Sequence, residues 1–408
     1  MNPGMFALLF LAYVLAARLV VRHLGGGLRE AMFALLNIAG LYWFCFHNQN
    51  NHFNAAFSVY LALVFVQFAM LCLFSTQAGW KPWLAFFTPV AILIVARYLP
   101  LFFTENFSRM VNKKLEQPPA AYLVGLSYLA FRCSHLVLEV RNGVVKRPGF
   151  WEYVGYCFFV PTMPVGPINP YSNFRRAFGS HPETIPMGRA GLRILVGLVK
   201  YLFFGSIFSR LGYDGFLLNE HPHYWMDLPV AMVFYYLYLY CNFSGFCDLA
   251  IGAAGLIGIP VAENFNNPFA ARNVKDFWNR WHITLSAWMR DVVFSPLSKF
   301  LVRLFGITRA DHAIALTIVI VFLLVGVWHG VGWNFAAFGA MHALGVVANH
   351  YYTILLKKKL GCDGFNAYIH NPWIQAAAVG LTFAYIAASL CLFANTFPEL
   401  KDIFAALR

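Results

Sequence analysis

The chain has 408 residues, of which 60% are hydrophobic and only 12% are charged, against about 25% charged residues in an ordinary soluble domain. This composition argues against a soluble enzyme and predicts a membrane protein. Lysine and arginine (30 residues) outnumber aspartate and glutamate (17 residues), giving a formal net charge of +13. Because the basic residues lie mostly between apolar runs, they indicate a cytoplasmic face on anionic lipid rather than a nucleic-acid surface.

Apolar runs recur along the whole chain, and about 20 apolar residues suffice for one membrane span. They predict an all-α, polytopic membrane helical bundle with about 11–12 spans, plus re-entrant or interfacial helices. The chain is treated as one domain, with N-terminal helices in 1–119, a motif-bearing core in 120–356 and a C-terminal helix in 373–397. The predicted spans are Met5–Val21, Ala31–Phe46, Ala55–Phe74, Trp83–Phe103, Ala120–Leu138, Trp151–Val165, Leu192–Phe208, Leu228–Asn242, Ser244–Ile259, Ala313–Trp328, Asn334–Leu356 and Trp373–Phe397.

The basic residues between the first spans predict a topology. Arg22 and Arg29 lie in the first loop, and the second loop holds no lysine or arginine. By the positive-inside rule, the first loop is cytoplasmic and the N-terminus is outside. Strict alternation of cytoplasmic and external loops fails at the basic residues in 109–114. This predicts either a re-entrant or interfacial segment there or a wrongly assigned span.

The eight cysteines show no paired spacing and lie mostly in apolar stretches, so they indicate neither a disulfide framework nor a metal site. They are expected to pack as small hydrophobic side chains.

Two later stretches have the wrong polarity for lipid-facing helices. Residues 166–191 contain four prolines and three arginines, so they predict a cytoplasmic or re-entrant segment. Residues 261–291 mix both signs of charge with many phenylalanines and tryptophans. They predict amphipathic helices, either at the interface or folded into the protein. The alternative for the second stretch is a solvated basic loop with interfacial tryptophans.

His329 follows fifteen residues, Ala313–Val327, that contain no ionisable side chain. An ionisable group at that depth is costly, so by default it faces a cavity or polar pathway and marks a functional site. Glycines 326, 330 and 332 surround it and permit close backbone approach or a helix break. The alternative is an interfacial histidine hydrogen-bonded to a neighbour. Haem ligation with His342 is disfavoured, because no second pair of histidines shares their spacing.

Polar and aromatic motifs recur in one order through the second half of the chain. They are Tyr240–Asp248, Ala250–Gly252, Glu263–Phe269, Asp276–Ser286, Trp288–Asp291 and Gly326–Gly330, followed by Trp333 and His342. With this set the chain resembles the membrane-bound O-acyltransferase family. Within the family, Leu126–Arg132 and Phe158–Pro167 are more similar to the branch that transfers D-alanine to teichoic acids than to the branch that O-acetylates alginate and other exopolysaccharides. Phe294–Ser298 lacks the glycine pair that is usual in the second branch.

The resemblance implies a bundle with a tunnel through its core and two catalytic histidines, His329 and His282. His329 is expected to be the general base, because a neutral imidazole can deprotonate a hydroxyl near pH 7. His282 is expected to orient the thioester or polarise its carbonyl. The substrate-binding candidates are Asn279, Arg280, Trp281, Ser286, Arg290, Asp291, Trp328 and Asp248. Of these, 279–281 could line the donor entrance, where an arginine would attract a phosphate; helix packing and lipid-headgroup contact are the alternatives.

The implied activity is O-acyl transfer from a cytosolic thioester to a hydroxyl of an extracytoplasmic envelope polymer or partner protein. D-alanyl transfer is the preferred interpretation, and O-acetylation of an exopolysaccharide or peptidoglycan is the alternative. No bound cofactor or metal is expected. The donor is expected to be a phosphopantetheine thioester on an acyl carrier protein or coenzyme A.

The expected partners are the membrane, that donor, an extracytoplasmic acyltransferase partner and an envelope glycan acceptor, with no nucleic acid. The expected location is a bacterial inner (plasma) membrane, crossed several times. A transporter or flippase is a competing interpretation, although the proline and glycine interruptions do not mirror between two halves as they would in repeat-built transporters. A scaffold protein is another.

Overall fold

The computed structural model describes residues 3–46, 52–102, 125–179, 186–213 and 225–407. Within these ranges the chain is helical and contains no β-strand, which confirms the predicted all-α class. The predicted break in charge alternation at residues 109–114 lies outside the described residues.

The helices follow the apolar runs of the sequence. Within the described ranges, five helices are long and apolar enough to cross a membrane. The five are Met5–His23, Met187–Arg210, Asp227–Ile257, Ile307–His329 and Pro372–Ala394. Two shorter apolar helical stretches cover Tyr60–Phe74 and Lys81–Val95. The tunnel that the family resemblance implies stays a prediction.

The helices divide between two compact units. Of the described residues, those in 3–102, 125–199 and 245–263 form unit 1, and those in 200–244 and 264–407 form unit 2. In chain order the helices are α1 (Pro3–His23), α2 (Gly26–Leu41), α3 (His52–Phe74), α4 (Lys81–Phe102), α5 (Leu126–Arg141), α6 (Phe150–Cys157), α7 (Tyr171–Gly179), α8 (Met187–Leu198), α9 (Gly205–Arg210), α10 (Asp227–Ile257), α11 (Val274–Arg280), α12 (Ile283–Met289), α13 (Ser295–Phe305), α14 (Ala310–His329), α15 (Trp333–His370), α16 (Pro372–Ala394) and α17 (Phe397–Ala406).

Several predicted boundaries are wrong. The helix predicted to end at Leu356 is α15, which continues past that residue and is first interrupted at Gly361. Trp151–Val165 is not one span, because α6 ends at Cys157 and only a 3₁₀ turn, Val160–Thr162, follows. The prolines at 161, 164 and 167 each lack an N–H group, and three of them within seven residues disfavour a continuous α-helix here. The two spans predicted on either side of Phe243 are one 31-residue helix, α10, because polar residues such as Asn242 and Ser244 do not by themselves break a helix.

The polar stretch 166–191 is not a regular span, as predicted. It contains α7, a nine-residue helix whose Tyr171, Phe174 and Phe178 are buried in the core of unit 1. The Glu139 carboxylate accepts hydrogen bonds from the backbone N–H groups of Tyr171 (3.0 Å) and Ser172 (3.2 Å), and thereby caps the start of the helix.

The cysteines are all free, and five of the eight are buried. Their expected role as small hydrophobic side chains fits these five. It is wrong for Cys362, which is exposed; it directly follows Gly361, whose positive φ of 69° interrupts α15.

The core of unit 2 lies where α14, α15 and α16 pack side by side with α11. Its buried side chains include Tyr236, Phe277, Trp281, Ile318, Phe338, Ile386 and Leu390. The polar stretch 261–291 contributes α11 and α12, and Phe277, Trp281 and Trp288 are buried. This stretch therefore contains two short helices and is folded into the protein, and the solvated-loop alternative is wrong.

Candidate functional site

A short antiparallel contact holds the turn between α11 and α12. Phe265 pairs with Trp281 as an isolated β-bridge. On either side, the Asn266 N–H donates to the Arg280 carbonyl (2.9 Å) and the Ile283 N–H donates to the Asn264 carbonyl (3.0 Å). The turn between these bonds places His282 in the left-handed region, with φ 47° and ψ 49°. Such backbone costs about 1–3 kcal/mol for a residue other than glycine and persists only where the surroundings hold it.

The side chain of His282 is buried, with 3% of the residue exposed. Its Nδ1 lies 3.3 Å from Oδ1 of Asn264, and its ring meets the edge of Phe243 at a centroid distance of 4.8 Å. Burial, followed by the neighbouring charge of His329, lowers the pKa of His282 from its ordinary value to about 3. The imidazole is therefore neutral at physiological pH.

His329 is the last residue of α14, and the helix stops there because Gly330 is extended, with φ −168° and ψ 172°. The imidazole is partly buried in an aromatic setting: its centroid lies 5.0 Å from Phe393 and 5.9 Å from Phe338. The ring of Trp328 lies 4.6 Å from His329 and 6.3 Å from His282. One indole thus contacts both predicted catalytic histidines.

The glycines near His329 serve two purposes. A Cβ on Gly326 would lie 2.3 Å from the carbonyl oxygen of Phe335, and one on Gly339 would lie 2.4 Å from that of Phe322. These glycines therefore let the backbones of α14 and α15 touch. Gly330 ends α14, and a Cβ there would meet the Phe335 ring at 2.0 Å.

His342 is a third buried histidine, with 1% of the residue exposed. Its Nδ1 accepts a hydrogen bond from the indole N–H of Trp278 (3.1 Å), and its Nε2 lies 3.0 Å from Oγ of Ser389. The Ser389 hydroxyl donates onward to the Ile386 carbonyl (2.7 Å). Both ring nitrogens are engaged, so this histidine ties α11, α15 and α16 together.

A cavity of about 480 Å³ lies in unit 2, between α11, α12, α14 and α15. Its middle is apolar, and among the described lining residues no carboxylate appears. Three exposed cations, Lys275, Arg290 and Lys357, line it; we call it the cationic cavity. Its apolar lining includes Leu285, Met289, Ile318, Val321, Phe322 and Val325, and its other polar lining includes Asn279, Ser286, Asn349 and His350.

Two residues that line the cationic cavity are each four residues from a predicted catalytic histidine, His282 or His329. Ser286 lies one helical turn after His282, and its backbone N–H donates to the His282 carbonyl (3.0 Å). Val325 lies one turn before His329 on α14. Because residues four apart lie on one helix face, the same face of α14 carries the lining residue Val325 and His329.

The other substrate-binding candidates are distributed as follows. Asn279, Ser286 and Arg290 line the cationic cavity, whereas Arg280, Trp281, Asp291 and Trp328 lie outside its lining. Arg280 pairs with Asp276 on its own helix (2.8 Å), and Asp291 pairs with Arg290 (3.0 Å) at an exposed position. Trp281 packs in the aromatic core, stacked on Phe277 at 5.5 Å.

Asp248 belongs to unit 1, whereas the other substrate-binding candidates belong to unit 2. It forms an ion pair with Arg193 (2.9 Å), which also pairs with Glu263. The structure therefore gives this carboxylate an ion-pair partner within its own unit.

Sequence reasoning missed Asn264, Trp278 and Ser389, the hydrogen-bond partners of the two buried histidines. Asn264 and Trp278 stand within the quoted motifs, which was a signal that could have found them. Ser389 lies in an apolar run of α16, 47 residues from His342, and nothing in the sequence connects the two.

Comparison with known proteins gives a consistent result. The family model described as MBOAT, membrane-bound O-acyltransferase family, matches residues 53–360. A teichoic acid D-alanyltransferase of Streptococcus thermophilus is 27% identical over 85% of this chain and 90% of its own length. One of Bacillus subtilis is 27% identical over 74% of this chain and 76% of its own. A peptidoglycan O-acetyltransferase of Helicobacter pylori is 31% identical, over 55% of this chain and 42% of its own length.

Proposed function

The chain belongs to the membrane-bound O-acyltransferase family, and we propose that it transfers a D-alanyl group from a cytosolic thioester to a hydroxyl of an extracytoplasmic envelope polymer or partner protein. It is an O-acyltransferase of the membrane, so the chemistry must join a thioester acyl carbon to a hydroxyl oxygen. The observation that carries the proposal is the convergence of two histidines on Trp328 beside the cationic cavity.

The choice of D-alanine rests on how far the similarity extends. The D-alanyltransferase of Streptococcus thermophilus aligns along 90% of its length, whereas the O-acetyltransferase of Helicobacter pylori aligns along only 42%. Where it aligns, the O-acetyltransferase is slightly more similar to this chain, at 31% identity against 27% for the D-alanyltransferase. The region that this chain shares with both proteins therefore suits either reaction. O-acetylation of an exopolysaccharide or peptidoglycan is accordingly the second candidate function.

In the proposed reaction His329 is the general base. Its neutral imidazole takes the proton of the acceptor hydroxyl as the oxygen attacks the thioester carbonyl. The carbon–sulfur bond then breaks, an ester forms, and the departing thiolate receives the proton from the imidazolium. Aromatic rings surround His329.

The cationic cavity is the proposed site of the donor arm. A phosphopantetheine thioester carries a phosphate at one end and a slender chain at the other. Lys275, Arg290 and Lys357 supply the positive charge that a phosphate requires, and the apolar residues of α14 accommodate the chain. The donor would then reach the histidines from the side of Ser286 and Val325, and Asn279 and Ser286 would bind its amide groups.

The proposed setting is a bacterial inner membrane that the chain crosses several times, with the donor on the cytosolic side. An acidic acyl carrier protein suits a surface with exposed lysines and arginines, because opposite charges steer the encounter. The glycan acceptor and an extracytoplasmic acyltransferase partner would lie on the opposite side.

Purified protein in proteoliposomes, supplied with D-alanyl carrier protein or acetyl-coenzyme A labelled in the acyl group, tests the proposal. We expect label to pass to a hydroxyl acceptor inside the vesicles from the D-alanyl donor. Transfer from acetyl-coenzyme A alone would favour the second candidate. Transfer from neither donor, with label moving across the membrane unreacted, would support the transporter interpretation.

A further inference from the structure

The hydrogen bonds around His282 determine which of its nitrogens is available. Oδ1 of Asn264 lies 3.2 Å from the backbone N of Thr284 and 2.7 Å from Thr284 Oγ1. A backbone N–H can only donate, so it fixes the orientation of the amide: oxygen, not nitrogen, faces this cluster.

The same oxygen lies 3.3 Å from Nδ1 of His282. Because an amide oxygen only accepts, Nδ1 must carry the hydrogen and donate it. In a neutral imidazole this leaves Nε2 with a lone pair, and Nε2 has no hydrogen-bond partner among the described residues.

Asn264 also supports the backbone of the turn. Its carbonyl accepts from the Ile283 N–H (3.0 Å) and its side chain accepts from the Thr284 N–H (3.2 Å). These two bonds hold the residues that directly follow His282, whose left-handed backbone needs such support. Asn264 is wholly buried, so water does not compete for these bonds.

From this geometry we infer that Asn264 is a positioning residue, which holds His282 as the Nδ1–H tautomer so that its Nε2 accepts a hydrogen bond from a substrate in the reaction. The inference rests on the proposed function and refines it. A nitrogen with a lone pair cannot donate to a carbonyl oxygen, so this tautomer opposes the expected role of His282 in polarising the thioester carbonyl. It fits instead a hydrogen bond accepted from an N–H or O–H group of a substrate other than the hydroxyl whose proton His329 removes.

The first test does not depend on transfer activity. Full-length protein labelled with ¹⁵N-histidine, reconstituted in lipid, is studied by solid-state NMR, and the spectrum of His282→Gln identifies the His282 signals. We expect a protonated Nδ1 and a bare Nε2 from pH 5 to pH 8, and loss of this single tautomer in Asn264→Ala. A wild-type His282 that carries its proton on Nε2 would overturn the inference, whether or not the protein transfers an acyl group.

The second test is kinetic. Asn264→Ala should lower kcat by about 10- to 100-fold, part of the 10²–10⁴ that acid–base groups contribute, with little change in KM for the donor. Asn264→Asp keeps an oxygen acceptor and should restore much of kcat, while moving the acid limb of the pH profile upward because a carboxylate raises the basicity of imidazole.

Ser389→Ala is the matched control, since Ser389 is also a buried partner of a buried histidine. It should lower the melting temperature and leave both the His282 tautomer and the pH profile unchanged. Equal kcat for folded Asn264→Ala and wild type would contradict the positioning role, as would a pH profile of Asn264→Asp identical to that of the wild type. Absence of transfer in the wild type would count against the proposed function alone, because the NMR result stands separately.

Discussion

His282 and His342 lie in the same unit and are both buried, yet their surroundings use the imidazole differently. His342 has both nitrogens engaged, by Trp278 and Ser389, and connects three helices. Among the described residues, His282 is hydrogen-bonded through Nδ1, on a left-handed turn. Burial therefore does not distinguish the two histidines. They differ in the number of ring nitrogens that the described residues satisfy.

The largest expected effect separates His329 from His342. His329→Ala should reduce acyl transfer by about 10²- to 10⁴-fold at normal abundance, because a general base is lost. His342→Ala should instead lower stability by about 1–3 kcal/mol, because the Trp278 N–H and Ser389 hydroxyl lose a buried partner. Transfer rates and melting temperatures of both purified variants check this. A His329→Ala protein that loses stability but keeps its specific activity would reverse the assignment.

The next effect concerns the charges of the cationic cavity. Lys275→Glu and Arg290→Glu together should raise KM for a phosphopantetheine donor by about tenfold, since each reversal replaces attraction by repulsion. Lys299→Glu, an exposed reversal on α13 outside the cavity lining, is the control and should change KM little. Arg280→Glu and Arg272→Glu should have smaller effects than the cavity pair, because neither residue lines the cavity. Unchanged KM in the Lys275 and Arg290 double variant would exclude the cavity as the donor site.

The contact of α14 with α15 gives a prediction about stability. Gly326→Ala places a Cβ 2.3 Å from a backbone oxygen, so the helices must separate, at a cost of about 1–3 kcal/mol. Gly380 on α16 has no atom within 4 Å of such a Cβ, and Gly380→Ala should be neutral or slightly stabilising. Thermal unfolding of the two variants compares them directly. Equal melting temperatures would mean that the close approach at Gly326 is absent in solution.

The last effect is the pH dependence of stability contributed by His282. Its pKa is about 3 in the folded protein and about 6.5 when unfolded, so below pH 6.5 the unfolded chain binds a proton that the folded one does not. Stability should therefore fall as pH decreases from 6.5 toward 3, by up to about 1.4 kcal/mol per pH unit. Unfolding curves of wild type and His282→Gln between pH 4.5 and 7.5 isolate this slope. Parallel pH dependences for the two proteins would show that His282 ionises normally.

The sequence was sufficient for features that depend on local pattern. Apolar runs predict most helices, and the motif order indicates the family before any coordinate is known. The histidine at the end of α14 stands out because the fifteen residues Ala313–Val327 of its helix contain no ionisable side chain. Predicted helix ends were wrong where polar residues lie inside a continuous helix. Asn242 and Ser244, for example, lie within α10.

The sequence could not predict contacts between segments far apart in the chain. Asn264 meets Thr284 across 20 residues and Trp278 meets His342 across 64. These contacts decide the tautomer of each histidine, and they follow from packing rather than from any local pattern. The roles of the two buried histidines therefore became visible only with the fold.

The most direct test of the central claim compares His329→Gln with wild type in proteoliposomes supplied with labelled D-alanyl carrier protein. Glutamine can retain a hydrogen bond but cannot take a proton at neutral pH. We predict that His329→Gln folds with a melting temperature near that of the wild type and transfers label at least about 100-fold more slowly. Transfer at a wild-type rate by this variant would remove His329 from the mechanism and leave His282 as the base.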